Sequence, residues 1–272
     1  MQNMQTYFDG LKLYGDDFGP ERIVQWYEEE KNAYAQLVDD PETEYRYAYD
    51  ALNEHHGFQH LGIRKYDRVL GLGSALGHEL KPILARCGEV TILEPASDFH
   101  QSDIEGVPVR YVDPSSTGEL SFGDRTFDLV TVLGVLHHIP NVSFVIKELG
   151  RVLKHDGRIL LREPIVSMGD WRRSRRGLTK NERGIPIRLL REMIDSAELV
   201  PIREARCVHS LTSAIGQKLN RSMYNTTWAV ALDDLLCRMP VWPVKYHAVS
   251  VWQKLRPTSV FYVLGKAETT RY

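Results

Sequence analysis

Five short apolar, β-branched runs succeed one another at intervals that leave room for a helix between each pair, and this spacing constrains the fold more than any other feature. They are residues 68–72, 90–93, 107–112, 127–133 and 158–161, with starts 22, 17, 20 and 31 residues apart. The runs are nearly continuous rather than alternating, as in DLVTVL over 128–133. Strands covered on both faces need that composition, and parallel strands joined by crossovers are covered in this way. The chain is therefore expected to be α/β, with a Rossmann-like, doubly wound and mostly parallel sheet.

Two further strands are expected near 200–208 and at 259–265, making seven. The stretch IPIRLLREMIDSA over 185–197 puts Ile187, Leu190, Ile194 and Ala197 on one helical face and reads as a crossover helix. Residues 1–60 are acidic and hold seven of the 13 tyrosines, with helical patches such as 21–37. They read as a helical N-terminal cap. The core spans 61–208, a helical insertion occupies 209–258, and 259–272 return to the sheet as its last strand and the C-terminus. That insertion is too long for a turn and too aromatic for a disordered linker.

With 272 residues the chain can bury a large core without a covalent staple. Its three cysteines, Cys87, Cys207 and Cys237, lie far apart and show no metal-binding spacing, which points to a reducing, cytoplasmic setting. The first ten residues lack the basic start and apolar core of a signal peptide, and no apolar run is long enough to cross a bilayer. The net charge of −2 conceals an uneven distribution. Residues 1–60 carry 13 acidic and 4 basic side chains, whereas 161–191 carry 9 basic and 3 acidic ones.

The first run leads into glycines, VLGLGSALG over 69–77, and then into an expected helix over 78–85. Glycine permits a tight turn and a close ligand approach, while free N–H groups at a helix start favour an anionic or nucleotide-like group. Glu94, before Pro95 at the end of the second run, can accept hydrogen bonds from both hydroxyls of a ribose. Asp113, before Pro114 at the end of the third, can accept one from the exocyclic amine of an adenine. A solvated strand-end Glu and a turn-forming Asp are the plainer readings of these two positions.

These pieces, in this order, resemble the class I S-adenosylmethionine-dependent methyltransferases, particularly the quinone- and sterol-methyltransferase-like subgroup. The resemblance covers about residues 64–200. It takes in the glycine loop, Glu94, Asp113, GELSFGDRTFDLV over 118–130, LGVLHHIP over 133–140 and ELGRVLKHDGR over 148–158. It implies S-adenosyl-L-methionine as cofactor, held by Gly71, Gly73, Ser74, Ala75, Gly77, Glu94, Pro95, Asp113, Pro114, Leu133 and Gly134. The family usually has an acid where this chain has Gly71 and a glycine where it has Ala75. Those departures motivate a second reading, a cofactor-binding module that catalyses nothing. The glycine spacing also occurs in NADP-binding turns, but Glu94 would repel a 2′-phosphate.

Methyl transfer needs alignment, water exclusion and, for a hydroxyl or amine acceptor, a base; it requires no metal. His137 and His138, after the fourth run, and Glu163, after the fifth, are the candidate bases; His138 is preferred. Glu163 could instead pair with Arg162 or a neighbouring basic residue. His55, His56 and His60 could line a cofactor lid, and His56 with His60 has helical metal-ligand spacing but no evident third ligand. The arginine-rich segment 172–176 suits a phosphate-bearing acceptor such as a glycan precursor, or else neutralises the acidic cap. Basic residues mixed with Trp and Tyr in 209–258 suit peripheral contact with a membrane, whereas the balanced charge disfavours nucleic acid.

Overall fold

The computed structural model describes residues 4–38, 47–173, 175, 177–240 and 245–267. Three helices open the chain, α1 (Met4–Phe8), α2 (Pro20–Val38) and α3 (Asp50–His56). The strands are β1 (Tyr66–Leu72), β2 (Cys87–Leu93), β3 (Asp103–Ile104), β4 (Val107–Val112), β5 (Phe127–Leu133), β6 (Leu153–Pro164), β7 (Leu199–His209) and β8 (Pro257–Lys266). They form one sheet in the order β3-β4-β2-β1-β5-β6-β8-β7, in which β4, β2, β1, β5 and β6 run parallel. The β6–β8 and β7–β8 pairs are antiparallel. The other helices are α4 (Val142–Val152), α5 (Ile187–Ser196), α6 (Ser210–Leu219), α7 (Thr227–Arg238) and α8 (Val251–Lys254).

The apolar runs are continuous because both faces of the sheet are buried. In β1, Leu70 and Leu72 join one core while Val69 joins the other; in β5, Val130 and Val132 oppose Leu129; in β8, Val260 and Tyr262 oppose Phe261 and Val263. The first core is completed by α4 and α5, through residues such as Ile146, Leu149, Leu190 and Ile194. The second is completed by Leu52 of α3, by Leu80 and Ile83, and by Val230 of α7.

The sheet has eight strands where seven were expected. The additional one, β3, is a two-residue hairpin arm pairing Ile104 with Val107. Its turn, Glu105-Gly106, places both residues at positive φ, 51° and 83°, as a tight hairpin turn demands. Two residues are too few to show any periodicity. The helix expected after the glycine loop is a 3₁₀ helix over His78–Arg86. Pro82 lies inside it, without the N–H that α-helical bonding would use. The segment between β7 and β8 is helical as expected; Trp242 within it lies outside the described residues.

Candidate functional site

A crevice of about 180 Å³ opens at the carboxyl ends of the parallel strands. Leu72 and Gly73 follow β1 into its wall, Glu94 and Pro95 follow β2, Asp113 and Pro114 follow β4, and Gly134 follows β5. A doubly wound sheet offers its ligand site at this edge. Helix α2 supplies the opposite wall with Tyr27, Glu28, Glu30 and Lys31. Gly71, Ser74, Ala75, Gly77 and Leu133 are not on the wall; they shape the turns behind it.

The glycine loop is tightly determined. Gly73 sits at φ +62°, its N–H donates to the Leu93 carbonyl at 2.8 Å, and a Cβ there would lie 2.7 Å from Val135 Cγ1. Gly77, at φ +68°, would bring a Cβ within 2.3 Å of Ile104 Cδ1. The two departures from the family pattern have local explanations. A Cβ at Gly71 would lie 2.3 Å from Ser74 Oγ, so Ser74 fills the space an acid would need. Ala75 adopts the left-handed conformation that a glycine would, at φ 45°, for a cost of roughly 1–2 kcal/mol. Its N–H donates to Glu94 Oε2 at 3.1 Å, and its carbonyl accepts from the Tyr111 hydroxyl at 2.9 Å. The other Glu94 oxygen accepts from the Ala96 N–H at 3.1 Å. Burial raises the Glu94 pKa, and those two backbone bonds oppose the rise.

The chain leaves β5 through a 3₁₀ turn, Leu136–His138, clamped from beneath by Glu163. That carboxylate is fully buried. It accepts from the N–H groups of Val135, Leu136 and His137 at 2.8, 2.7 and 3.3 Å, and from His137 Nδ1 at 2.8 Å. Glu163 is therefore not a base facing the crevice: it is no part of the wall, and its oxygens are committed to the turn. His137 is likewise buried, held between Glu163 and Glu182 rather than presented to a substrate. The basic partner of Glu163 is His137 rather than Arg162, which donates to Asn53 Oδ1 at 2.9 Å and stacks 3.8 Å above the Tyr49 ring.

Burial pulls the His137 pKa down, but Glu163 and Glu182 outweigh it and lift the value to about 9. A pKa raised above its unfolded value stabilises the fold fully below about pH 6.5, and that contribution disappears as pH rises through 9. Wild-type stability should therefore fall by about 3 kcal/mol between pH 6.5 and 9.5. His137→Asn should lack this component, as denaturant midpoints across that range would show.

His138 is the histidine on the crevice wall. Its Nδ1 lies 2.9 Å from Glu30 Oε2 on α2, and the same oxygen accepts from Thr179 Oγ1 at 2.8 Å. The Glu30 Oε1 atom is buried with no hydrogen-bond partner among the described residues. The His138 backbone is fixed too, its carbonyl accepting from Trp26 Nε1 at 2.7 Å. Arg183, wholly buried, donates to the carbonyls of Tyr14, His137 and Ile139 at 2.8, 3.0 and 2.9 Å and so ties cap, turn and the segment before α5 together. Glu30, Thr179 and Arg183 lie between 44 and 169 residues from these partners, so no local pattern announces them.

Other expectations meet a different arrangement. His55, His56 and His60 are not on the crevice wall. His56 does not pair with His60; His55 and His56 instead approach Asp234 of α7, with candidate ligand atoms within 4.8 Å of one another, and Asp234 is already bound by Arg238. The arginine-rich segment is not on the crevice wall. Arg172 pairs with Asp170 at 2.8 Å, and Arg175 donates to the carbonyls of Met168 and Thr179 at 3.1 and 2.9 Å. Arg176 lies outside the described residues. Lys180 meets Glu29 of α2 at 3.5 Å, which accords with partial neutralisation of the acidic cap.

A twisted parallel sheet with an antiparallel end, a glycine turn after its first strand and acids after the next two parallel strands define the Rossmann-like class I methyltransferase fold. Residues 70–161 match the family model described as a methyltransferase domain. Among curated relatives, the uncharacterized methyltransferase YcgJ of Bacillus subtilis is 34% identical over 105 residues, 36% of this chain and 41% of that protein. Demethylmenaquinone methyltransferase of Alkalihalophilus pseudofirmus is 29% identical over 97 residues, 36% of this chain and 40% of its own. The chain thus matches about two fifths of the length of these relatives. Among solved structures, the Burkholderia thailandensis 1,6-didemethyltoxoflavin-N1-methyltransferase, with bound 1,6-didemethyltoxoflavin and S-adenosylhomocysteine, has the same fold. Its TM-score is 0.52 at 17% identity, and the match covers 92% of each chain.

Proposed function

We propose that the chain is an S-adenosylmethionine-dependent O-methyltransferase acting on a hydroxyl of a small, sugar-like acceptor. The observation that carries this reading is one crevice lined both by Gly73, Glu94 and Asp113 and by the His138–Glu30 pair. Four acids, Glu28, Glu30, Glu94 and Asp113, line it against Lys31, which suits a cationic cofactor. Gly73 allows close backbone approach, Glu94 is placed for ribose hydroxyls and Asp113 for the adenine amine. The same acids disfavour a phosphate at the reacting end, so the acceptor is uncharged there.

The cofactor supplies an electrophilic methyl group on a sulfonium. The protein's part is to hold the acceptor oxygen in line and to remove its proton. With Nδ1–H donating to Glu30, the basic lone pair of His138 falls on Nε2, the atom that would accept the proton of the acceptor hydroxyl. Glu30 then stabilises the imidazolium. The non-catalytic alternative loses its motive, since Ser74 and Ala75 account for the unusual loop.

Replacing Asp113 by Ala should weaken S-adenosylhomocysteine binding by about 1–3 kcal/mol, the range for a charged hydrogen bond. Isothermal calorimetry of both proteins checks this. Equal affinities would remove Asp113 from the adenine site.

A further inference from the structure

Helix α7 buries its two acids together with Ala229, Val230 and Cys237, and still exposes large apolar side chains. It turns Asp233 and Asp234 inward: Asp233 is fully buried and accepts from the N–H groups of Val208 and His209 at 2.8 Å each, while Asp234 pairs with His55 at 3.1 Å. Outward it turns Trp228, Leu232 and Leu235, with Trp228 65% exposed. Helix α6 does the same at four-residue spacing, burying Thr212 and Gly216 and exposing Leu211, Ile215 and Leu219, the last by 60%. In α8, Trp252 is 71% exposed. Leu211 of α6, Leu236 and Cys237 of α7, and Leu255 immediately after α8 line one cavity of about 150 Å³, so the three elements adjoin one another.

The charges on this surface have one sign. Between residues 209 and 258 the only acids are Asp233 and Asp234, both turned inward. Lys218, Arg221, Lys245 and Lys254 are exposed and form no salt bridge among the described residues. Contiguous exposed apolar surface marks an interaction site. A second copy of the chain is a poor occupant, because a two-fold contact would set these cations against themselves. Exposed Trp and Leu flanked by lysines and arginines match the boundary of an anionic bilayer, where rings and alkyl chains enter the acyl region and cations stay with the headgroups. No described helix is long and apolar enough to cross a membrane, so the contact is peripheral.

We infer that α6, α7 and α8 form a docking surface for anionic lipid bilayers. The inference is independent of the acceptor and of the crevice. Co-sedimentation of the full chain with vesicles of phosphatidylcholine containing one third phosphatidylglycerol should show binding that phosphatidylcholine alone does not support. Raising salt from 50 to 500 mM should release most of it, by roughly tenfold or more in affinity, as screening of several cations requires. Trp228→Ser with Leu235→Ser should lower the affinity about tenfold, since the two side chains leave the acyl boundary. Both positions are exposed, so the fold and S-adenosylhomocysteine binding should be unchanged, which separates this result from any failure of the methyltransferase reading. Lys218→Gln with Lys254→Gln should reduce the preference for phosphatidylglycerol. No binding to phosphatidylglycerol vesicles at 50 mM salt would overturn the proposal. So would binding unaffected by the Trp228 and Leu235 substitutions, or a dimer in light scattering that those substitutions dissolve.

Discussion

Glu163→Ala should destabilise the protein by about 3–5 kcal/mol, the cost of stranding one member of a buried ion pair. The substitution removes the acceptor for three backbone N–H groups at once and leaves the His137 side chain buried against Glu182 alone. Against a total stability of 5–15 kcal/mol, typical of native proteins, this is a large fraction. Glu163→Gln keeps the shape and one acceptor oxygen and should cost less. Urea unfolding of the three proteins at pH 7 measures the series. A loss below about 1 kcal/mol for the alanine variant would mean that the turn is held by something other than this carboxylate.

The second large effect is on turnover. His138→Ala should lower kcat by about 10²–10⁴-fold, the usual contribution of a positioned general base, without changing S-adenosylhomocysteine affinity. Glu30→Gln should have a smaller effect of the same kind, because it weakens the bond that fixes the His138 tautomer but leaves the imidazole in place. The pH profile separates the two roles. A base is lost on acidification, so the wild-type rate should show an acid limb that His138→Ala lacks. Equal losses in kcat and in cofactor affinity would instead describe a residue that only shapes the pocket.

The sheet was legible in the sequence because burial on both faces forces continuous apolar runs, and the spacing of those runs excludes simple hairpins. Gly73, Glu94 and Asp113 were legible because the strand ends that carry them converge on one edge. Glu163 stands out in the sequence as a strand-end acid, but its task does not. A strand-end glutamate reads alike whether it faces a ligand or turns back to cap a neighbouring loop, and only the three-dimensional position of residues 135–137 decides. Glu30 was not legible at all: its partner His138 is 108 residues away, and in sequence it is one of three consecutive glutamates on an acidic helix. The arginine-rich segment misled for the opposite reason. Its charge density is conspicuous in one dimension, yet Arg172 is satisfied by Asp170 and Arg175 by backbone carbonyls.

The family pattern also needed the structure to be read correctly. An acid absent at position 71 and a glycine absent at 75 look like decay until Ser74 is seen in the space above Gly71 and Ala75 in the left-handed conformation. Substitution of Ser74 and Ala75 together by glycine should therefore leave the loop's path intact.

The central claim is that the crevice between the strand ends and α2 takes S-adenosylmethionine. Calorimetric titration of S-adenosylhomocysteine into the full chain tests it most directly. Saturable binding with one site per chain is the expected result; absence of any binding heat at millimolar ligand, from protein shown to be folded, would contradict it.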